Sequence, residues 1–543
     1  MVRLRTSSWW LAAGLAGFFL CIYLLSGSSD LLHNGDTDLR FQTTQALVDH
    51  HRLWLAHPAY SDSRIAKGLG GHLYAFYGPG QIVLMAPLYI IGKAIAHHLA
   101  LPYDVTTLYA ARSLDLFLGA LLAVLFFAFA LSAGYSRRVA AILTILFGLA
   151  TVAWPDAQSA LEQTQVNLFL LLAVLGTWMF ARARLPNRRW LALAGTGVGL
   201  AVATRYDALL YVPVLLAYVA YVRWRRGELA LALWDSAWYL AATAPWLILV
   251  AAWNVLRFGS PLLTGLHEAT IGNPFFLGIA ELLVSPGKGL LWYLPLLFLL
   301  PFAGRLFIRR VPDLAILCVA LILVPLLFYA NVLYWHGDPS WGPRYLYVAV
   351  PYLILPLAEI LKRWNAERNW LRGSLVVVVA ISIALNVCAI SVTQWRFWYR
   401  LQADQERTAN AAAWTGQPFH WGPLHYHYYW NVRESPILIQ IDNVYQVGRL
   451  LLGDRSFFLQ AQPGSAVHSN PALLYPVNTW AFWWADVQHP LFGPRTRDAI
   501  VGALFAGALV SLLVVMVGLR REPERFVPLV AEPQFSGAGS PGN

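Results

Sequence analysis

The chain has 543 residues, of which 58% are hydrophobic and only 12% are charged, and its mean hydropathy is +0.53. Soluble globular domains carry about a quarter charged residues, so the composition excludes a soluble globular protein and predicts an all-α polytopic membrane protein. The net charge of +11 does not indicate nucleic-acid binding, because the basic residues fall in short clusters between apolar runs, as in cytoplasmic loops.

Thirteen apolar stretches are candidates for membrane-spanning helices, each of which needs about 20 predominantly apolar residues. They lie at 9–27, 81–99, 109–132, 139–154, 164–181, 190–204, 206–222, 236–256, 290–304, 313–334, 344–361, 373–393 and 499–519. The first follows Arg3 and Arg5 and lacks a small-x-small cleavage site, which favours a retained signal anchor. The sequence therefore predicts about 11 to 13 spans.

Basic clusters between these stretches set the predicted topology. They lie at 182–189, 223–226, 305–310, 362–372 and 520–525. The positive-inside rule places them in the cytoplasm. The loops predicted to face outward are 28–80, 155–163, 257–289, 335–343 and 394–498. If 81–99 crosses the membrane, Arg137 and Arg138 come out on the external side, so either this stretch fails to cross or the pair departs from the rule.

Four regions follow from this topology. Residues 1–393 form a transmembrane module whose first external loop is 28–80, 394–498 is an external segment rich in aromatic residues, 499–519 is the last span, and 520–543 is a cytoplasmic tail. The tail is rich in Pro, Gly and Ser and is predicted to be disordered. The aromatic residues of "HWGPLHYHYYWN" and "NTWAFWWADV" suit stacking on sugar rings, but the interface with lipid headgroups is the preferred interpretation.

The stretch "GDTDLRFQTTQALV" follows the first span and contains Asp36 and Asp38. The pattern from Leu39 onward predicts a short amphipathic helix on the outer membrane surface. One interpretation makes Asp36 the N-cap of this helix. In the other, the helix dipole keeps both carboxylates ionised, so that they can deprotonate a hydroxyl or hold a metal ion.

Two further motifs place ionisable residues next to apolar runs. "KGLGGHLYAFYGPG" contains Lys67, His72 and Tyr77 and predicts either a turn at a helix start or side chains that face an anionic group near Asp36. "TRYD" places Arg205 at a turn between two predicted spans, where ionisable residues are functional candidates. A structural ion pair between Arg205 and Asp207 is the alternative.

The last two motifs carry the candidate anion-binding residues. In "SPGKGLLWY", Lys288 lies in a glycine turn before a span, where an ammonium and a helix N-terminus together bind phosphate, or where the lysine extends to the headgroups. In "SWGPRYL", Arg344 lies at the first turn of a span. Its guanidinium can bind a lipid phosphate with two hydrogen bonds or anchor to bulk headgroups.

In this order the motifs "GDTDLRFQTTQALV", "YGPG", "TRYD", "RFGSPL", "SPGKGLLWY" and "SWGPRYL" resemble the GT-C superfamily of polyprenyl-phosphate-sugar-dependent glycosyltransferases. The most similar branch is the bacterial one related to glycosyltransferase family 39, which includes protein O-mannosyltransferases and lipid A aminoarabinose transferases. The resemblance extends from the N-terminus to about residue 393 and implies a GT-C-like bundle with amphipathic helices in the first external loop.

The resemblance also implies roles for individual residues. Asp36 matches the first-loop aspartate that acts as the catalytic base. The family commonly has Asp-Glu at this point, whereas this chain has Asp36-Thr37, and Asp38 is the candidate for the second acid. Arg344 and Lys288, and also Arg205, match the basic residues that hold the donor phosphate.

The implied activity is inverting transfer of a hexosyl or pentosyl group from a polyprenyl-phosphate donor to a hydroxyl of a glycan, lipid or protein acceptor in the cell envelope. The implied location is the bacterial inner membrane, with the active site facing outward. A divalent cation, Mg²⁺ or Mn²⁺, near Asp36 and Asp38 is a further candidate. A transporter or flippase for a lipid-linked sugar is the alternative function, and a non-enzymatic membrane assembly factor is a third.

Overall fold

The computed structural model describes residues 6–29, 35–58, 64–183, 187–266, 271–337, 340–397, 400, 429–459, 475–485 and 492–520. In this part of the chain almost all regular structure is helical. The described strands are β1 (Ile65–Lys67) and β2 (Leu73–Ala75), which pair antiparallel with Ala66 opposite Tyr74. The prediction of an all-α polytopic membrane protein is confirmed.

The α-helices occur in the following order along the chain. The first ten are α1 (Thr6–Leu25), α2 (Gly35–His50), α3 (Pro79–Leu99), α4 (Tyr103–Arg112), α5 (Leu114–Ser132), α6 (Arg137–Leu149), α7 (Ala153–Gln158), α8 (Gln163–Arg182), α9 (Arg189–Thr204) and α10 (Tyr211–Arg225). The next are α11 (Ala230–Phe258), α12 (Phe275–Val284), α13 (Leu290–Tyr293), α14 (Leu300–Arg310), α15 (Pro312–Tyr329), α16 (Val350–Ile354), α17 (Ala358–Lys362), α18 (Asn369–Ser391), α19 (Pro436–Leu451) and α20 (Pro494–Arg520). Short 3-10 helices precede α10, α14, α16 and α17.

Nine helical segments in the described part of the chain are long and apolar enough to cross a membrane. They are Pro79–Leu99, Tyr103–Ser132, Gln163–Arg182, Tyr206–Arg225, Ala230–Phe258, Pro312–Tyr329, Arg344–Lys362, Asn369–Ser391 and Pro494–Arg520. The stretch Trp9–Leu25 is apolar but shorter. The predicted spans 139–154 and 190–204 fall on α6 and α9, which have 13 and 16 residues, and 290–304 is broken into α13, a 3-10 helix and α14. The number of 11 to 13 spans stays a prediction.

Helices α1 and α20, far apart in the sequence, pack against each other through small residues of α1. A Cβ atom at Gly14 would lie 2.9 Å from the Val515 side chain, and one at Gly17 would lie 2.6 Å from the Ser511 hydroxyl oxygen. Small residues allow such close approach between membrane helices. This contact fixes α1, and therefore the start of the first loop, against the last helix of the bundle.

The first loop folds back onto the ends of the helices. Helix α2 buries Leu39 and Ala46, as the amphipathic pattern predicts, but its buried residues also include Thr37, Arg40 and Thr44. The Thr44 hydroxyl donates to the Arg40 carbonyl and to that of Ile82 in α3 (3.2 Å). The inner face of α2 is therefore partly polar. This face lies against charged groups at the end of the bundle.

The described part of the segment 394–498 is bound to the same end of the bundle. The indole nitrogens of Trp483 and Trp484 donate to the carbonyls of Leu24 and Leu25, each at 2.8 Å, and the Ala481 amide donates to the Ser391 carbonyl (2.9 Å). These bonds cap the ends of α1 and α18, whose last carbonyls have no partner within the helix. The predicted tail beyond 520 and most of "HWGPLHYHYYWN" lie outside the described residues.

Candidate active site

Asp36 lies in the first turn of α2 and receives hydrogen bonds from three parts of the chain. Its Oδ1 accepts from the Tyr77 hydroxyl (2.7 Å) and from Arg64 Nη1 (3.3 Å). Its Oδ2 accepts from both terminal nitrogens of Arg344, each at 3.4 Å. The structure thus brings together Asp36, Tyr77 and Arg344, which the sequence singled out, and adds Arg64, which it did not.

The electrostatics around Asp36 favour its ionised form. Burial alone would raise the pKa of this carboxyl group. The guanidinium groups of Arg344, Arg40 and Arg64 and the Tyr77 hydroxyl outweigh burial and hold the pKa of Asp36 below its usual range. The group is therefore a carboxylate at neutral pH, as the sequence predicts, but a weakly basic one in this state.

Glu162, directly before α8, joins two further arginines to the cluster. Its carboxylate lies 2.6 Å from Arg40 Nη2 and 2.5 Å from Arg205 Nη1, and the Arg40 guanidinium lies over the Tyr77 ring at 4.0 Å. Glu162 was not among the residues predicted from the sequence. Its presence as an acid in the predicted outer loop 155–163, between apolar runs, is the signal that could have found it.

Arg205 belongs to a second set of contacts at the turn between α9 and α10. The predicted ion pair with Asp207 is present, with Nε 3.0 Å from Oδ1. Arg205 Nη2 also donates to the Tyr329 hydroxyl (2.8 Å), and the Tyr329 ring stacks on Tyr345 at 4.2 Å. The structural and functional interpretations of Arg205 are therefore compatible, because one guanidinium contacts both Asp207 and Glu162.

A narrow crevice lies between the two arginines Arg205 and Arg344. Its apolar wall is formed by Val166, Leu210, Val324, Pro325, Phe328 and Val348. Two buried N–H groups beside Asp36, Arg344 Nε and Arg40 Nη1, have no hydrogen-bond partner among the described residues. Buried donors are normally satisfied, so this cluster has spare capacity to bind an anion.

The loop before Arg344 is shaped to bring its side chain into the cluster. A Cβ atom at Gly337, whose φ is +64°, would lie 2.6 Å from Arg344 Cγ, so only glycine fits there without displacement. Lys288 is buried, and its ammonium donates to the carbonyls of Ser340 (2.7 Å) and Gly342 (3.2 Å). It therefore binds the loop that leads to Arg344. Asp338, in the same motif, lies outside the described residues.

The remaining predicted residues of the first loop lie at its surface. Lys67 is exposed at the end of β1, and His72 is exposed with its ring stacked on Trp54 at 4.3 Å. Arg64 is the cation of this loop that contacts Asp36. Neither the spacing nor the residue type distinguishes Arg64 from Lys67 in the sequence, since the choice depends on how the loop folds.

Asp36 and Asp38 point to different neighbours, because residues two apart on a helix do not share a face. Asp38 Oδ1 lies 3.6 Å from Arg112 Nη2, whereas Asp36 faces Arg344. A divalent cation between Asp36 and Asp38 does not fit this arrangement, since guanidinium groups surround Asp36. The described residues contain no group of three or more His, Cys, Asp or Glu side chains suited to a metal ion.

Residues 98–263 match the family of dolichyl-phosphate-mannose-protein mannosyltransferases. This segment includes Glu162, Arg205 and Asp207, and it begins after Asp36 and ends before Arg344. The match confirms the predicted resemblance to the GT-C glycosyltransferases. A search among curated proteins gave no match.

Comparison with solved structures gives distant similarities. ArnT from Cupriavidus metallidurans bound to undecaprenyl phosphate is 14% identical over 95% of this chain and 77% of that chain, with a TM-score of 0.43. The Archaeoglobus fulgidus oligosaccharyltransferase tethered with an acceptor peptide is 13% identical over 72% of this chain and 57% of that chain, with a TM-score of 0.44. The same enzyme in complex with Zn and sulfate gives 12% identity, coverage of 78% and 57%, and a TM-score of 0.45. The chain thus spans less than two thirds of the oligosaccharyltransferase, and TM-scores of this size say nothing about individual residues.

Proposed function

We propose that this integral membrane protein is a glycosyltransferase that moves a sugar from a polyprenyl-phosphate-linked donor to an acceptor hydroxyl on the extracytoplasmic side, with inversion. The family match supports a membrane glycosyltransferase with a lipid-phosphate-linked donor. One observation carries the finer assignment: the Asp36 carboxylate contacts the Arg344 guanidinium at 3.4 Å, beside a crevice whose wall is apolar. A base, a phosphate-binding cation and an apolar wall are therefore adjacent.

The donor phosphate binds Arg344 and Arg205, and its polyprenyl chain lies along the apolar wall of the crevice. Reaction breaks the bond between the anomeric carbon and the phosphate oxygen, and the electron pair leaves with the lipid phosphate. This anion needs no general acid. It needs fixed positive charge, which is most effective in a site that excludes water. The buried Arg344 Nε–H, which lacks a partner among the described residues, supplies one such donor.

Asp36 takes the proton of the acceptor hydroxyl while the hydroxyl oxygen attacks the anomeric carbon from the opposite face. A carboxylate whose pKa is held far below its usual range is a poor base. The donor phosphate competes for the Arg344 guanidinium that Asp36 binds in this structure. Binding of the donor therefore raises the basicity of Asp36 at the stage when a base is required.

Other residues position these groups. Tyr77 orients the Asp36 carboxylate through its hydroxyl, and Glu162 bridges Arg40 and Arg205. Lys288 acts on the donor through Arg344, since it fixes the carbonyls of the loop that carries this arginine. Lys67 and His72, at the exposed edge of the first loop, are assigned to the approach of the acceptor.

The proposed orientation rests on which loops meet. The first loop, the loop 155–163, the turn at Arg205 and the loop 335–343 were all placed outside by the distribution of basic residues. Contacts of Asp36 and Glu162 bring these four together at one end of the bundle. The basic Arg188 and Arg310 lie in predicted cytoplasmic clusters and make separate contacts.

The test is transfer of radiolabelled sugar from a panel of polyprenyl-phosphate sugars by the purified protein in liposomes that contain an envelope acceptor fraction. The wild type is compared with Asp36→Asn and with Asp313→Asn, a control whose side chain accepts from Tyr221 (2.8 Å). We expect transfer with the wild type and the control and not with Asp36→Asn. If no donor is consumed while labelled lipid changes leaflet, the protein is a flippase and the proposal is wrong.

A further inference from the structure

Helix α19 of the external segment carries an exposed apolar stripe. Leu438, Ile441 and Tyr445 are 48%, 45% and 55% exposed, and Leu452, just after the helix, is 86% exposed. Their spacing places them on one face of a helix. In the membrane-spanning helix α18, Val376 and Val377 show similar exposure, 58% and 57%. The side chains of the stripe on α19 are therefore as exposed as those on a lipid-facing helix surface.

The opposite face of α19 is polar and buried against the end of α18. Gln440 and Asn443 are 1% and 0% exposed. Gln440 Nε2 donates to the carbonyls of Cys388 (3.2 Å) and Val392 (2.5 Å), which belong to the end of α18. Helix α18 is long and apolar enough to span the membrane, so its last turn marks the membrane surface. Helix α19 therefore crosses the bundle at the level of the lipid headgroups.

The residues that flank the stripe suit that level. Arg433 and Arg455 are exposed on either side of the helix, and Trp430 is 44% exposed. Tryptophan is enriched at membrane interfaces, and arginine side chains reach headgroup phosphates while their stems cover apolar surface. An apolar face, two terminal arginines and an aromatic residue together form the pattern of an interfacial helix.

We propose that α19 lies on the phospholipid leaflet at the end of the bundle that carries Asp36, with Leu438, Ile441, Tyr445 and Leu452 inserted below the headgroups. The ligand of this surface is the bilayer, and Arg433 and Arg455 bind its phosphates. The proposal does not depend on the glycosyltransferase assignment, because it concerns contacts of α19 and α18 alone. It assigns to part of the external segment the role of a membrane anchor in the plane of the interface.

The test measures the depth of a fluorescent probe. The full chain, with Cys21, Cys318 and Cys388 replaced by alanine, receives one cysteine at Ile441 or at Leu452, is labelled with NBD, and is placed in phosphatidylcholine–phosphatidylglycerol nanodiscs. Lipids with a doxyl group at carbon 5 or carbon 12 act as quenchers. Val376→Cys on α18 is the lipid-facing reference. Asp442→Cys is the control, because Asp442 follows Ile441 directly and lies off the apolar stripe.

We expect carbon-5 doxyl lipid to quench the probe at both α19 positions about threefold more than the probe at Asp442, as for an interfacial helix. Quenching at Val376 should instead be strong with carbon-12 lipid, because this residue lies inside the span. If neither lipid quenches the α19 probes and iodide does, the stripe faces water and the proposal is wrong. If lipid and iodide both fail to quench, a protein surface covers the stripe, which equally overturns it.

Discussion

Two buried ion clusters in this bundle differ in how tightly the central carboxylate is held. In one, Asp235 is 0% exposed and lies 2.5 Å from Arg223 Nε and 3.0 Å from Arg188 Nε, while Arg223 also pairs with Glu228. In the other, the Asp36 side chain is 20% exposed and its contacts to arginine measure 3.3 to 3.4 Å. The Asp235 carboxylate is thus closed off by short contacts, whereas the Asp36 carboxylate has longer contacts and is partly open to solvent. We call the two groups of residues the closed and the open cluster.

The two clusters differ in size as well. Asp235 lies among a few groups, chiefly Arg188, Arg223 and Glu228. Around Asp36 the arginines Arg40, Arg64, Arg205 and Arg344 face Asp36, Glu162 and Asp207, and the buried Asp115 and Asp156 lie close to Arg40 and Arg344. Long contacts are of little use for stability, because a buried charge that is poorly paired is costly. They are useful where an anionic ligand must enter, which distinguishes a binding site from a structural ion pair.

Asp36→Asn should give the largest effect on activity. The amide cannot accept the hydroxyl proton, so we expect transfer to fall by about 10² to 10⁴-fold, measured as the initial rate of labelled product. Donor binding should be at least as tight as in the wild type, because the neutral amide no longer competes with the phosphate for Arg344. Asp235→Asn should leave activity per folded molecule within about twofold. Equal loss of activity in both variants would show that the two clusters do not differ in role.

Arg344→Lys should reduce transfer by about 10² to 10³-fold, since lysine keeps the charge but lacks the planar pair of donors that stabilises a phosphate. Single-turnover rates at saturating donor would measure it. The matched variant Arg188→Lys changes the same chemistry in the closed cluster and should retain wild-type turnover. A wild-type rate for Arg344→Lys would remove Arg344 from the donor site.

Asp235→Ala should mainly lower stability. Removing the acid leaves Arg223 and Arg188 without their carboxylate, at a cost of about 3 to 5 kcal/mol in the free energy of unfolding. Thermal unfolding of the detergent-solubilised protein, followed by tryptophan fluorescence, would show the lower midpoint. Asp36→Ala, at the open cluster, should lower the midpoint by less, because Asp36 is partly exposed and its contacts with arginine are longer.

Glu162→Gln should weaken donor binding by about tenfold, because Arg40 and Arg205 lose the charge that sets their positions. The KM for the donor should rise while the KM for the acceptor stays constant. Lys288→Met should act in the same direction through the loop that leads to Arg344. An effect of Glu162→Gln on the acceptor KM alone would contradict its assignment.

Tyr77→Phe should have the smallest effect and should appear as a shift in pH dependence. The Tyr77 hydroxyl donates to the ionised Asp36 and lowers the pKa of that carboxyl group, so its loss raises this pKa. The acid limb of the pH–rate profile in kcat, which reports the donor-bound enzyme, should move to higher pH by about one unit. A shift to lower pH would mean that Tyr77 does not donate to the base.

The sequence predicted those parts of the site that follow from local pattern. Apolar runs located the long helices, and ionisable residues next to them singled out Asp36, Arg205 and Arg344. Arg64 and Glu162 were missed, because their importance depends on which loops meet at the end of the bundle. The polar residues on the inner face of α2 were missed for the same reason. The amphipathic pattern that begins at Leu39 identifies only the apolar positions.

Lys288 shows the limit of reasoning from motif alone. A lysine in a glycine turn before a span suits a phosphate, yet the structure places its ammonium on the carbonyls of Ser340 and Gly342. Spacing along the chain cannot distinguish a group that touches a ligand from one that supports it. The broken helix at 290–310 has a similar origin, since Pro295 and Pro301 interrupt a run whose hydropathy alone resembles a continuous span.

The contact between α1 and α20 bears on the order in which the protein is made. All residues of the Asp36 cluster lie between positions 36 and 344, so the ribosome has synthesised them well before α20 emerges. Helix α1, which leads into α2 and Asp36, packs through Gly14 and Gly17 on Ser511 and Val515. During biosynthesis the residues of the Asp36 cluster are thus synthesised first, and the helix that sets the position of the first loop follows later.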